Sequence, residues 1–138
     1  MVADVMITRP KTLPGEATVR DVRLLLEDDH THMALLVTNG HLLGTLVHDD
    51  LPSTPTTDET PAVASAMLVG RTVPPTASAL EAYRWLRVRR ARRLAVVTPD
   101  GELAGLLCLN RRLTGFCQDA DVAARAGDRR IRRPGERS

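Results

Sequence analysis

The sequence predicts an α/β fold of the α+β type, made of two βαββα-like repeats packed about a pseudo-twofold axis. Three observations carry that expectation. The chain of 138 residues is 43% hydrophobic and 26% charged, which suits one compact domain or two small repeats sharing a core. It matches itself at a nearly constant offset. Each copy holds one capped helical pattern, then two apolar runs around an Asn-Gly or Asp-Gly pair, the strongest short-range hairpin signal. A unit of roughly fifty residues leaves one sheet face uncovered, so two units must bury those faces against each other.

The internal match places residues 3–51 over 64–113. Val5-Met6 meets Ala66-Met67, and Thr12-Leu13-Pro14 meets Thr72-Val73-Pro74. These short extended pieces (11–13 and 71–73) lead into helices expected at about 18–29 and 78–90. Thr18 with Asp21, and Ser78 with Glu81, read as N-caps with an acidic partner three residues on. In the second helix Ala79, Ala82, Tyr83 and Leu86 share a face at helical spacing. Ala34–Thr38 then meets Leu94–Thr98, Asn39-Gly40 meets Asp100-Gly101, and Leu42-Leu43-Gly44 meets Leu103-Ala104-Gly105. A last helix is expected after Asp49 in the first unit and after Asn110 in the second, the latter with Leu113, Phe116, Cys117, Ala120 and Ala124 on one stripe. The expected organisation is repeat 1 over 1–51, a proline-punctuated linker over 52–61, repeat 2 over 62–126, and a basic tail over 127–138 that is too poor in apolar residues to fold.

Composition excludes several classes. No run of 18 apolar residues could span a membrane, and Asp4 with no apolar stretch behind it is not a secretory signal, so a cytoplasmic protein is expected. Cys108 and Cys117 cannot form a disulfide framework or a four-ligand zinc site by themselves. No Ser-His-Asp, Cys-His or paired-carboxylate set and no phosphate-cradling glycine loop is legible, so no catalytic residue is assigned and an enzyme is not expected. Charge is unevenly spread. Residues 1–69 carry four cations against ten acids, and residues 70–138 carry fifteen arginines against seven acids.

The order of these motifs, Met, Thr-hydrophobic-Pro, capped helix, hydrophobic strand, Asn/Asp-Gly and hydrophobic-Gly-hydrophobic, resembles the CBS domain. Two in tandem resemble a CBS-domain pair over about residues 2–124. The resemblance implies a regulatory module, often a homodimer, whose clefts take AMP, ADP, ATP or S-adenosylmethionine as a regulatory ligand rather than a required cofactor. With no other domain in this sequence, the output would be read by a separate partner protein.

Residues follow from the resemblance one position at a time. In ligand-binding members the second hairpin strand runs into Gly-hydrophobic-x-Ser/Thr-x-x-Asp, where the carboxylate accepts hydrogen bonds from both ribose hydroxyls. Asp50 matches that carboxylate, with Val47 at the hydroxyl position. In the second unit Cys108 stands at the hydroxyl position and Arg111 at the carboxylate. Members also place His or Arg before the first hairpin strand, facing the cleft: here His32, and Arg92 with Arg93, whose planar forks suit a phosphate. Lys11-Thr12 and Arg71-Thr72 occupy the lead-in segment that members set against adenine. The candidate ligand residues are therefore Asp50, Lys11, Thr12, His32, Arg92, Arg93 and Thr72, with a composite site in view: ribose on Asp50, phosphates near Arg92 or Arg93.

Plainer roles stand beside these. Asp50 could complement a helix dipole and the arginines after Arg84 could be a solvated helix end. His30 and His32 with His48, Asp49 and Asp50 lack metal-binding spacing, so no metal is assigned, and both cysteines suit packing. The competing reading is a ligand-free interaction module that dimerises or docks on an acidic partner. Nucleic acid is disfavoured because the first unit's charge would repel phosphate and no aromatic platform interleaves the arginines.

Overall fold

The computed structural model describes residues 1–28, 31–53, 58–110, 112 and 114–117. Its strands and helices are β1 (Leu13–Pro14), α1 (Val19–Leu26), β2 (Ala34–Thr38), β3 (His41–Leu46), β4 (Thr72–Val73), α2 (Ala79–Arg89), β5 (Arg93–Val97) and β6 (Leu103–Cys108). They form two three-stranded sheets, ordered β1-β2-β3 and β4-β5-β6, each with a parallel edge strand and an antiparallel hairpin.

Local sequence explains each start and turn. Thr18 accepts the Asp21 amide at 3.3 Å while Asp21 accepts the Thr18 amide at 2.9 Å, closing the capping box on α1. Ser78 accepts the Glu81 amide at 3.2 Å at the head of α2. Asn39 and Gly40 both have positive φ, 53° and 82°, as a two-residue turn matched to strand twist requires.

Strand alternation sorts the core into three layers. Ala34, Leu36 and Leu46 face α1 with Val22 and Ala17. Leu94, Val96 and Leu107 face α2 with Ala82 and Leu86. Between the sheets lie Met33, Leu35, Leu42 and Ala95, flanked by Val47, Val97 and Leu106. The faces expected to be uncovered in a single unit are thus buried against one another.

Two features tie the units together. The hairpin tips pair: Leu42 N–H donates to Gly101 O (3.0 Å) and Leu103 N–H to Gly40 O (2.9 Å), beside a His41–Glu102 bridge. The segment that opens each repeat docks on the other unit. Ile7 exchanges both backbone hydrogen bonds with Leu106 (2.8 and 2.9 Å), and Met67 does the same with Thr45 (2.8 and 2.9 Å). Val2 is buried in the α2 layer and Ala62 in the α1 layer. The described part of the linker runs along α1, with Arg23 bonded to Asp58 (2.8 Å) and to the Pro52 carbonyl.

The expected last helices differ. In the first unit the chain makes one 3-10 turn, His48–Asp50, and leaves it at Leu51 in extended conformation, because Pro52 disfavours helical backbone in the residue before it. In the second, Asn110 accepts the Thr114 amide (3.1 Å) and donates its own amide to Gly115 O (2.8 Å). That turn sends Phe116 back to bridge Leu109, and Cys117 N–H to Cys108 O at 2.7 Å. Phe116 and Cys117 are therefore paired to β6 and are not on a helical stripe. Leu113, Ala120, Ala124, Arg111, His30 and the tail 127–138 lie outside the described residues.

Candidate functional site

Residues 45 and 47 of the first unit face the inter-sheet layer, because Thr45 pairs with Leu35 and the alternation continues to Val47. The 3-10 turn then brings Asp50 back so that its Oδ2 accepts the Val47 amide at 2.8 Å. Arg71 reaches this place from the second unit. Its carbonyl accepts the Ala95 amide (2.8 Å), fixing it at the lead-in to β4. Its guanidinium forks onto Asp50, Nη1 to Oδ2 at 2.9 Å and Nη2 to Oδ1 at 3.1 Å. Nη1 also donates to Thr45 Oγ1 at 3.3 Å, and that hydroxyl donates to Met67 O at 2.8 Å. The Arg71 and Asp50 side chains are only 20% and 12% exposed. This is a bidentate, charge-assisted pair in a partly desolvated cleft, the stronger kind of ion pair.

Burial alone would raise the pKa of Asp50. The Arg71 hydrogen bond, the Val47 amide and the Arg71 charge together outweigh it and hold the carboxyl below its usual 3.8. A depressed carboxyl contributes stability that is fully present above its unfolded pKa and lost as pH falls through the folded one. Asp50→Asn should therefore cost most near neutrality, and its penalty should shrink below pH 3.8. Urea midpoints of both proteins across the acid range measure this; a penalty independent of pH would remove the charged pair from the account.

The other candidate residues are dispersed. Lys11 is exposed and pairs with Asp28 at 2.9 Å. Thr12 and His32 are exposed. Thr72, in β4, lines an open groove of about 260 Å³ together with Ser78, Glu81 and Trp85; the groove also reaches Leu94, so it opens on the α2 side of the sheet. Arg93 pairs with Cys108 at the root of the second hairpin. Arg92 donates from Nη2 to Leu109 O at 3.3 Å, and its buried Nε has no hydrogen-bond partner among the described residues. Since β3 and β6 run in opposite directions from their shared bridge at His41 and Glu102, Asp50 and Arg93 stand at opposite ends of the inter-sheet layer. The geometry does not assemble one composite site from them. The two ends are separate.

The far end is chemically different. Cys108 and Cys117 are buried together with Ile7. Burial pushes the Cys108 thiol up to about 11 in spite of the Arg93 charge beside it, so it is a packing group and a poor nucleophile. Burial likewise lowers the pKa of Arg93. Along α2, Arg87 and Arg89 lie over the rings of Tyr83 and Trp85, at 5.6 and 4.5 Å from their centroids. Stacking on their own helix accounts for two of the clustered arginines.

Arg71 was named from sequence only as part of the lead-in segment, and not among the candidate ligand residues or as a partner of Asp50. A signal was present: it is the only Lys or Arg between Arg23 and Arg84. A lone cation in an acidic stretch has few ways to be there except as a partner.

Two units joined at their hairpin tips, with exchanged opening segments, can now be set against known proteins. Residues 2–51 match the family model of the CBS domain. The first repeat carries a CBS domain. The tandem architecture of the whole chain also matches solved structures of CBS-domain and related proteins. The AcuB structure from Vibrio cholerae is 25% identical, with a TM-score of 0.67 over 92% of this chain and 90% of that one. The Pyrobaculum aerophilum CBS domain protein PAE2072, solved with AMP, is 23% identical, with a TM-score of 0.66 over 91% and 98%. Staphylococcus aureus OpuCA is 24% identical, with a TM-score of 0.61 over 91% and 99%. No curated protein matches the sequence. Among the described residues, no helix of this chain is long and apolar enough to cross a membrane.

Proposed function

We propose that this CBS pair is a cytoplasmic regulatory module that binds an adenosine-containing ligand, of the AMP, ATP or S-adenosylmethionine class, in the first cleft and signals to a partner protein. The observation that carries the reading is Asp50. Its carboxylate stands at the end of β3 beside Thr45 on the inter-sheet layer, with a cation from the other repeat on it. A carboxylate there can take both hydroxyls of a ribose, and a group held between two repeats is where a ligand changes their coupling. PAE2072 was solved with AMP, and the cytosolic domain of the magnesium channel MgtE with ATP, which supports an adenine nucleotide as the first ligand to try. Exposed Leu24 on α1, with Leu80 and Val88 on α2, supports self-association through the helices.

A thermal-shift titration against AMP, ADP, ATP, S-adenosylmethionine and NADH, with phosphate and sulfate as controls, tests the proposal. One adenosine ligand should raise Tm saturably, by the equivalent of about 2.7 kcal/mol at a hundredfold excess over Kd, while plain anions do not. Asp50→Ala should weaken it more than about tenfold, the scale of one lost charged hydrogen bond. No shift with any adenosine compound would sink the proposal. It would favour the second reading, an interaction module without a ligand, which one observation supports: Asp50 already has a partner.

A further inference from the structure

We infer that Arg71 is a latch across the first cleft, that a ligand must displace it to reach Asp50, and that this makes the site selective for ligands carrying a phosphate. The inference rests on the proposed adenosine site and adds to it the residue that sets ligand class.

The Asp50 acceptors are engaged. Oδ1 takes Arg71 Nη2, and Oδ2 takes both Arg71 Nη1 and the Val47 amide. A ribose can gain this carboxylate only by moving the guanidinium off it. The released guanidinium then needs new acceptors, and the groups already around it are weak ones. Thr45 Oγ1 spends its proton on Met67 O and offers only a lone pair, and Met67 Sδ, 3.7 Å from Nη2, is a poor acceptor. A half-buried cation without a partner is costly. A phosphate on the ligand removes that cost, since its oxygens match the guanidinium fork. The net exchange turns one ion pair into two contacts: charge-assisted hydrogen bonds from the ribose hydroxyls to the carboxylate, and an ion pair between guanidinium and phosphate. Neutral adenosine offers no such partner. The same swap unties the units. The Arg71 main chain belongs to the second sheet through Ala95, and its side chain holds the first through Asp50, so binding replaces a direct link between repeats by one that passes through the ligand.

Dissociation constants for AMP and for adenosine, measured by calorimetry on the full chain and on Arg71→Gln, decide it. The wild-type protein should prefer AMP by at least about tenfold, the scale of a charged hydrogen bond. In Arg71→Gln adenosine should tighten, because Asp50 is freed, while AMP weakens, so that the two fall within about threefold of each other. Should that variant not fold, Arg71→Lys carries the test: it keeps the charge but loses the fork, and its preference should lie between the two. AMP binding with the same preference in wild type and variant, or equal binding of adenosine and AMP by the wild type, overturns the latch and leaves the adenosine site standing. Failure of both compounds to bind either protein overturns the site and the latch together.

Discussion

Gly105→Ala is expected to destabilise the fold by about 2–3 kcal/mol, the range of an overpacked core position. A Cβ at 105 would stand 2.5 Å from the Ile7 carbonyl oxygen and 2.7 Å from Met6 Sδ. The sulfur can move. The carbonyl cannot, because it accepts the Leu106 amide at 2.9 Å while Ile7 donates to Leu106 O at 2.8 Å. Making room means lifting the opening segment of the chain off β6 and breaking that exchange. The φ of Gly105 is not in the left-handed region, so the requirement is one of space alone. Gly44 is its counterpart: a Cβ there would come 2.5 Å from the Ala66 Cβ. Gly115, with open space around it, is the control, and alanine there should change stability little. Urea midpoints for the three variants at constant m test the set. A Gly105→Ala protein within about 0.5 kcal/mol of wild type would mean that the crossing segment yields freely.

These two glycines also show what sequence could and could not deliver. Their repeated setting, hydrophobic-Gly-hydrophobic, is visible as punctuation, but the reason for it is a strand-like segment arriving from the other unit, and nothing local announces that. The caps at Thr18 and Ser78 and the Asn39-Gly40 turn were legible because their partners lie within a few residues. The burial of facing sheets was legible because alternation fixes which side chains share a face. The helix expected after Asp49 was not delivered, since Pro52 redirects the chain. Among the described residues after Asn110 the turn to Gly115 puts Phe116 and Cys117 beside β6, and an apolar stripe reads alike in a helix and in a paired strand. At the candidate site, Asp50 was singled out through its motif. Arg71 was read only as part of the lead-in segment, because it sits 21 residues away in the other repeat, and ion-pair partners at that distance leave no spacing to read. Arg93 does face the inter-sheet layer, but from the far end, and only the bridge between His41 and Glu102 reveals how the two hairpins point.

A carboxylate in place of Val2 should weaken the unit to which Val2 does not belong by sequence. Val2 is fully buried among Ala82, Leu86, Leu94, Val96, Leu107 and Leu109, all of the second repeat, and its amide donates to Ala77 O at 2.8 Å. An unpaired charge cannot stay there, so Val2→Asp must either neutralise its carboxyl or pull residues 2–4 out of the α2 layer. Either route costs about 3 kcal/mol or more, on the scale of an unsatisfied buried polar group. Ala62→Asp is the mirror experiment, since Ala62 is buried with Ala17, Val22 and Leu36 of the first repeat and donates its amide to Ala17 O at 2.9 Å. Native-state hydrogen exchange separates local from global opening. In Val2→Asp the amides of Leu94–Val96 and Leu107 should lose protection ahead of those of Ala34–Leu36, and in Ala62→Asp the order should reverse. Loss of protection following the sequence repeats instead, with Val2→Asp striking β2 and β3 first, would mean that the opening segments are not exchanged. The exchanged arrangement makes each unit's core depend on the other's chain, so a ligand that alters one end of the inter-sheet layer has a covalent as well as a packed route to the other.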